Sequence, residues 1–191
     1  MNKLAVITGV PGVGKTTLMD KALEKLREEG VDYQLLNYGD LMLEIAKEEK
    51  GVKDRDKMKD IKLETYRDIQ KEAAYSIAEV REEIPVLVDT HCTIKKPEGY
   101  YPGLPQWVLE RLQPEEILII EALPKEIAGR REKDASRKRK KELEEAISEH
   151  QELNRAIATS YAMMVGAGVR IIKNREGKIG EAVQKVVEAL K

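Results

Sequence analysis

Apolar residues fall along this chain in two alternating ways: short unbroken runs, and longer stretches where they return at every third or fourth position. The runs read as strands buried on both faces, the stretches as helices with one apolar side. The first run, residues 4–8, is followed by a glycine-rich segment. Leu18, Met19, Ala22, Leu23 and Leu26 then share one helical face, with Gly30 placed for a left-handed helix end. A second strand over residues 33–37 leads into a helix through Leu41, Ile45 and Ala46, with Asp40 as its predicted N-cap and Gly51 as its close. After the charged residues 53–59, Ile61, Thr65, Ile69, Ala73, Ile77 and Val80 predict one long helix.

Residues 85–89 form a third run that ends in an acid, and residues 90–105 read as a long loop rich in glycine and proline. Pro105 is expected to begin a helix through Trp107, Val108 and Leu112, residues 117–121 a fourth strand, and Pro124 a further helix. Residues 130–141 are almost all charged. Ile147, Asn154, Ile157, Tyr161 and Val165 predict the next helix, residues 169–173 a fifth strand, and Ile179, Val183, Val186, Val187 and Leu190 the stripe of a terminal helix. Strands that alternate with helices imply right-handed crossovers: an α/β fold with a five-stranded parallel sheet and its ligand at the strands' C-terminal ends.

The segment after the first strand carries the chemistry. Gly9, Val10, Pro11, Gly12, Val13, Gly14, Lys15, Thr16 and Thr17 fit GxxxxGK[ST], the phosphate-binding loop, in the required order of strand, loop and helix. Glycines let backbone N–H groups turn inward around a polyphosphate, and the following helix adds the positive end of its dipole. Lys15 then reaches the β and γ phosphates, and the Thr16 hydroxyl is placed to ligate Mg²⁺. Asp89, the acid ending the third run, is the candidate to hold that ion through water. A dinucleotide fingerprint fails, because Thr17 stands where its third glycine belongs.

Composition narrows the reading. The 191 residues suit one domain, spanning 1–191. Thirty-four basic against 35 acidic residues leave a net charge of −1, which argues against a general nucleic-acid or membrane binder. One cysteine, Cys92, allows no internal disulfide and no thiolate metal site. The first strand begins almost at once and no apolar run nears the roughly eighteen residues of a membrane span, so a cytoplasmic protein is expected.

Beside these residues stand others that carry a resemblance: Tyr38-Gly39-Asp40 after the second strand, Asp89-Thr90-His91 ending the third, Pro102-Gly103-Leu104-Pro105, the basic segment, and Asn154-Arg155. From end to end the chain resembles the adenylate kinases of the archaeal type. That resemblance implies a P-loop kinase three-layer sandwich with a helical NMP-binding insertion near 38–84 and a short lid near 130–141. It implies transfer of the γ phosphoryl of MgATP to AMP, giving two ADP, and a homotrimer. Tyr38, Gly39, Asp40, Asp89, Thr90 and His91 are then expected at the substrate, and Arg130, Arg137 and Arg139, with Asp134 among them, at the transferring group. Common bacterial and eukaryotic members have an arginine soon after the Gly-Asp pair and another after the third strand, where this chain has Leu43-Glu44 and Thr90-His91-Cys92-Thr93. Arg55, with Arg67 as second choice, and Lys95 or Lys96 are expected to replace that charge. His91 either contacts AMP or orders the loop; His150 is expected to be structural or at the surface. Trp107, Tyr100 and Tyr101 either pack the long loop or line the AMP cleft, and residues 174–177 either pass under the adenine or form a plain turn.

The loop defines the donor and leaves the acceptor open, so another nucleoside monophosphate or a small hydroxyl acceptor such as shikimate is the alternative. A guanine-nucleotide switch lacks its Asn-Lys-x-Asp signature: the only Asn-Lys, Asn2-Lys3, continues as Leu4-Ala5. An RNA-associated ATPase is suggested only by residues 137–141, and near-zero net charge speaks against it.

Overall fold

The computed structural model describes residues 2–52, 54, 57–58, 61–133 and 144–191. Strand β1 (Leu4–Gly9) is wholly buried because it occupies the middle of a five-stranded sheet. On one side it pairs with β3 (Val86–Asp89) and on the other with β6 (Glu116–Glu121). β2 (Gln34–Asn37) lies beyond β3, and β7 (Gly168–Lys173) beyond β6. All four pairings are parallel, and the order β2-β3-β1-β6-β7 is the one a chain of βα units produces when it changes direction once.

Side chains of β1 alternate between two cores, as a strand covered on both faces requires. Ala5 and Ile7 face α1 (Lys15–Glu28) and α7 (Ile179–Leu190), while Leu4 and Val6 face the other helices. On that second face lie α2 (Tyr38–Lys50), α3 (Leu63–Glu83), α4 (Gln106–Leu112) and much of α6 (Glu144–Val165); α5 (Pro124–Lys133) joins the first through Ile127. Complete burial of a large aliphatic side chain contributes about 1.5–3 kcal/mol. The two cores, lying back to back across the sheet, therefore hold the strand ends rigidly. Helix α1 closes as its sequence predicts: Gly30 takes φ +79° and Val31 N–H reaches the Leu26 carbonyl at 2.9 Å.

Three expectations are corrected. Asp40 does not cap α2; Asn37 does, its side chain accepting from Asp40 N–H, so Asp40 lies inside the first turn. Either acid or amide can cap, and the helix starts earlier because Tyr38 buries its ring against α3 and donates its hydroxyl to the Gln70 carbonyl at 3.0 Å. The stretch 90–105 is not a plain loop either. It contains an antiparallel hairpin, β4 (Thr93–Lys96) and β5 (Gly99–Pro102), in which Lys95 and Lys96 lie over the rings of Tyr100 and Tyr101 at 5.8 and 4.5 Å. Four-residue strands are too short to display a period. Pro105 is the N-cap of α4 rather than its first residue. Among the described residues no helix is long and apolar enough to cross a membrane.

Candidate active site

The site forms where β1, β2, β3 and β6 end together. Gly9 runs so close to β6 that a Cβ there would lie 2.6 Å from the Ile120 carbonyl oxygen. Past it the backbone turns with Gly12 at φ +82° and Gly14 at φ +90°, conformations that favour glycine. Val10 and Val13 drop their side chains into the first core and hold the loop from below. Gly14 caps α1 without any side-chain hydrogen bond, so the first-turn N–H groups face outward with no helical carbonyl to meet. An anion is the natural partner for such a terminus.

The loop's carbonyls are tied from the outside. Arg131 reaches the Pro11 oxygen through Nε at 2.9 Å and Nη2 at 2.6 Å. The Val13 oxygen accepts from Arg130 Nη1 and from Asn174 Nδ2, each at 2.9 Å, and Arg130 Nη2 donates to the Asn174 carbonyl at 3.1 Å. With these oxygens engaged, the loop presents N–H groups to the cleft. Arg130, expected at the transferring group, therefore braces the loop in this structure. Arg131 is a residue that sequence reading missed, although its doublet with Arg130 was visible. Asn174 is buried by this brace rather than lying open in a plain turn. We expect Arg131→Ala or Asn174→Ala to raise the KM for ATP about tenfold while leaving the KM for the acceptor within about twofold, since each loses hydrogen bonds that shape only the donor loop. Steady-state kinetics with each substrate varied in turn will check this.

Lys15, Asp89 and Thr90 come together where β1 and β3 end. The Lys15 ammonium is ion-paired with Asp89 Oδ1 and donates to the Thr90 carbonyl at 3.0 Å. Asp89 Oδ2 accepts from Asn37 Nδ2 at 3.1 Å. Thr16 and Thr17 stand exposed at the mouth. His91 Nδ1–H donates to the Gly9 carbonyl at 3.2 Å, which assigns the tautomer because a carbonyl only accepts. His91 is exposed at the surface, with protein packed around part of its ring. Desolvation first, and the Lys15 charge second, lower its pKa from 6.5 to about 4. The unfolded chain therefore takes up this proton before the folded one. The neutral ring's contribution to stability is intact above pH 6.5 and is lost as pH falls toward 4. Between those limits Tm should fall less in His91→Gln than in the parent, and parallel melting curves would exclude such coupling.

Beneath the mouth a polar lattice anchors the hairpin. Thr93 donates to Asn154 Oδ1 at 2.6 Å and accepts from His150 Nε2–H at 2.9 Å, all three buried, so His150 is structural and not a surface group. Arg155 grips the buried Glu121 through Nε and Nη2 at 2.5 and 2.7 Å, and Lys173 pairs with the same carboxylate. Burial alone would raise the Glu121 pKa; these two cations more than offset it, and the net shift is downward. Asn154-Arg155 thus ties α6 to the end of β6 and to the hairpin. Cys92 is fully buried, its N–H bonded to Thr8 Oγ1 at 2.8 Å and its thiol pushed up by burial to about 11, as an inert structural cysteine would be.

Of the residues expected at the acceptor, Gly39 and Asp40 lie on the first turn of α2, and Tyr38 is a packing residue of the second core. Arg67 stacks on Trp107 at 5.4 Å, and Trp107 packs against the second core with its indole N–H buried and without a hydrogen-bond partner. Arg55, Asp134, Arg137 and Arg139 lie outside the described residues.

Comparison with known proteins gives a consistent result. Residues 8–148 match a family model described as an AAA domain. Over 190 residues, all of this chain and 99% of the other, it is 50% identical to an adenylate kinase of Methanocaldococcus jannaschii. It is also 50% identical to one of Methanopyrus kandleri over 194 residues and 46% identical to one of Methanococcus vannielii over 190, again along both whole chains to within 1%. Among solved structures it is similar in fold to a shikimate kinase of Bacteroides thetaiotaomicron, with a TM-score of 0.56 at 15% identity over 98% of each chain. A gluconokinase of Sinorhizobium meliloti is similar at a TM-score of 0.51 and 13% identity, over 98% of this chain and 91% of that one. The fold is that of the P-loop kinases, and by full-length identity the chain belongs to the adenylate kinase family.

Proposed function

We propose that this chain transfers the γ phosphoryl of ATP to AMP, reversibly, giving two ADP. The observation that carries the reading is the donor loop itself: left-handed turns at Gly12 and Gly14, carbonyls tied back by Arg130, Arg131 and Asn174, and Lys15 beside them. The second core's helices α2 and α3, set between β2 and β3, supply a place for a second nucleotide beside the first.

Phosphoryl transfer asks for alignment and for neutralisation of spreading negative charge rather than for a covalent intermediate. Lys15 leaves Asp89 for the phosphates as ATP enters, and the first turn of α1 holds the phosphate oxygens. The available donors fit magnesium: a Thr16 hydroxyl at the mouth and the Asp89 carboxylate across it are hard oxygens, which that ion prefers. When bound, Mg²⁺ neutralises phosphate charge and fixes its geometry. Gly39 and Asp40 at the head of α2, with Thr90 and His91, face the acceptor, and Arg55 or Arg67 clamps its phosphate. Arg137 and Arg139 close over the transferring group and exclude water. A cytoplasmic homotrimer completes the proposal.

Incubating the protein with MgATP and each nucleoside monophosphate separately will test it. Diphosphate should form fastest with AMP; no ADP above a blank would refute the assignment.

A further inference from the structure

Asn37 ends β2 in register with Asp89 at the end of β3, and the two halves of its amide serve different parts of the molecule. Its Oδ1 accepts the Asp40 N–H at 3.1 Å and so caps α2, the first helix on the acceptor side. Its Nδ2 donates at 3.1 Å to Oδ2 of Asp89, whose other oxygen holds the Lys15 ammonium of the donor loop. An unbroken chain of polar contacts thus runs from the head of α1 to the head of α2. The orientation of the amide follows from its neighbours, since a backbone N–H only donates and an ionised carboxylate only accepts. No other side chain fills both roles at this length. Serine caps but is too short to reach Asp89, aspartate caps but sets one carboxylate against another, and glutamine is a poor cap.

We propose that Asn37 is a positioning residue for phosphoryl transfer, coupling the acceptor helix α2 to the donor-side carboxylate of Asp89. When Lys15 turns from Asp89 to the phosphates, the Asn37 amide is the donor that keeps this carboxylate aimed, and through the cap it holds α2 at a set distance from it. Placement of the acceptor and orientation of Asp89 are then one adjustment rather than two.

The proposal rests on the adenylate kinase reading, and the test separates the two: the parent enzyme must first make ADP from ATP and AMP. Asn37→Ser keeps the cap and loses the arm to Asp89. Its Tm should stay within about 2 °C of the parent. AMP binding measured by calorimetry, with no donor present, should weaken about tenfold, and kcat should fall while the KM for ATP stays within about twofold. Asn37→Asp, the same size and an equal cap, should lose more because its charge faces Asp89. In an Asp89→Asn background the serine substitution should cost AMP affinity little further, because the link is already altered. If AMP affinity and kcat in Asn37→Ser match an active parent, the proposal is overturned. The same follows if the serine effect is as large in the Asp89→Asn background as in the parent.

Discussion

Lys15→Met lowers kcat at least about a hundredfold, the order of loss seen when one pre-set electrostatic donor is removed from a transferring group. The methionine keeps most of the side chain's length and apolar stem, so the change isolates the charge. In the structure that charge is held by Asp89 and by the Thr90 carbonyl, at the point where β1 and β3 end side by side. It is thus poised at the mouth of the loop and needs only a rotation of its own stem to meet a phosphate. Stability should fall by up to about 3 kcal/mol, because the pair is largely buried and Asp89 keeps only its bond from Asn37 as compensation. Lys15→Arg should also fail, since a planar fork does not replace a compact ammonium in a tight turn. A coupled assay for ADP together with a melting curve will decide; a methionine variant within tenfold of the parent's kcat would remove Lys15 from the site.

Gly103→Ala is expected to be the most destabilising single-methyl change in the described residues. A Cβ at Gly103 would lie 1.6 Å from the His91 carbonyl oxygen, 2.7 Å from its carbon and 3.2 Å from the Cys92 oxygen. All three atoms are backbone, so no side chain can rotate away. The approach is that close because Gly103 N–H donates to the Cys92 carbonyl at 2.8 Å, where the Tyr161 hydroxyl also donates at 2.9 Å. Admitting a methyl must push the return strand of the hairpin off the segment that follows Asp89. The cost should be at least about 3 kcal/mol, or about 8 °C in Tm, with loss of activity as His91 and Thr90 shift. Gly99, in the same hairpin, has nothing within 4 Å of such a methyl, so alanine there meets only the strain of φ +141°. Equal melting temperatures for Gly103→Ala and the parent would show that the hairpin is not clamped to residues 91 and 92.

The middle of the sheet was legible because β1, β3 and β6 are buried on both faces. Continuous runs such as Val86-Leu87-Val88 admit no other reading beside turn residues, and the helices between them have to cross over in one hand. The phosphate loop was legible for a similar reason, since backbone curvature and one lysine are local properties. What stayed hidden depends on partners far along the chain. The hairpin at 93–102 is made of strands too short to show a period, and is held by Thr93 to Asn154 and by Gly103 to Cys92. Arg131 looked like one more charge in a basic segment until its guanidinium was seen on the Pro11 carbonyl, 120 residues away.

Local pattern, then, was enough for the order of the five sheet strands and their crossover helices, the donor loop and the acid at the end of β3, because each is a matter of residues within one or two turns of each other. Which polar groups meet was decided only when the strand ends converged. Arg130 turns to a loop carbonyl, Asn37 rather than Asp40 caps α2, and Tyr38 leaves the cleft for Gln70. A hydrogen bond forms with whatever partner folding brings within about 3 Å, and sequence spacing carries no record of that distance.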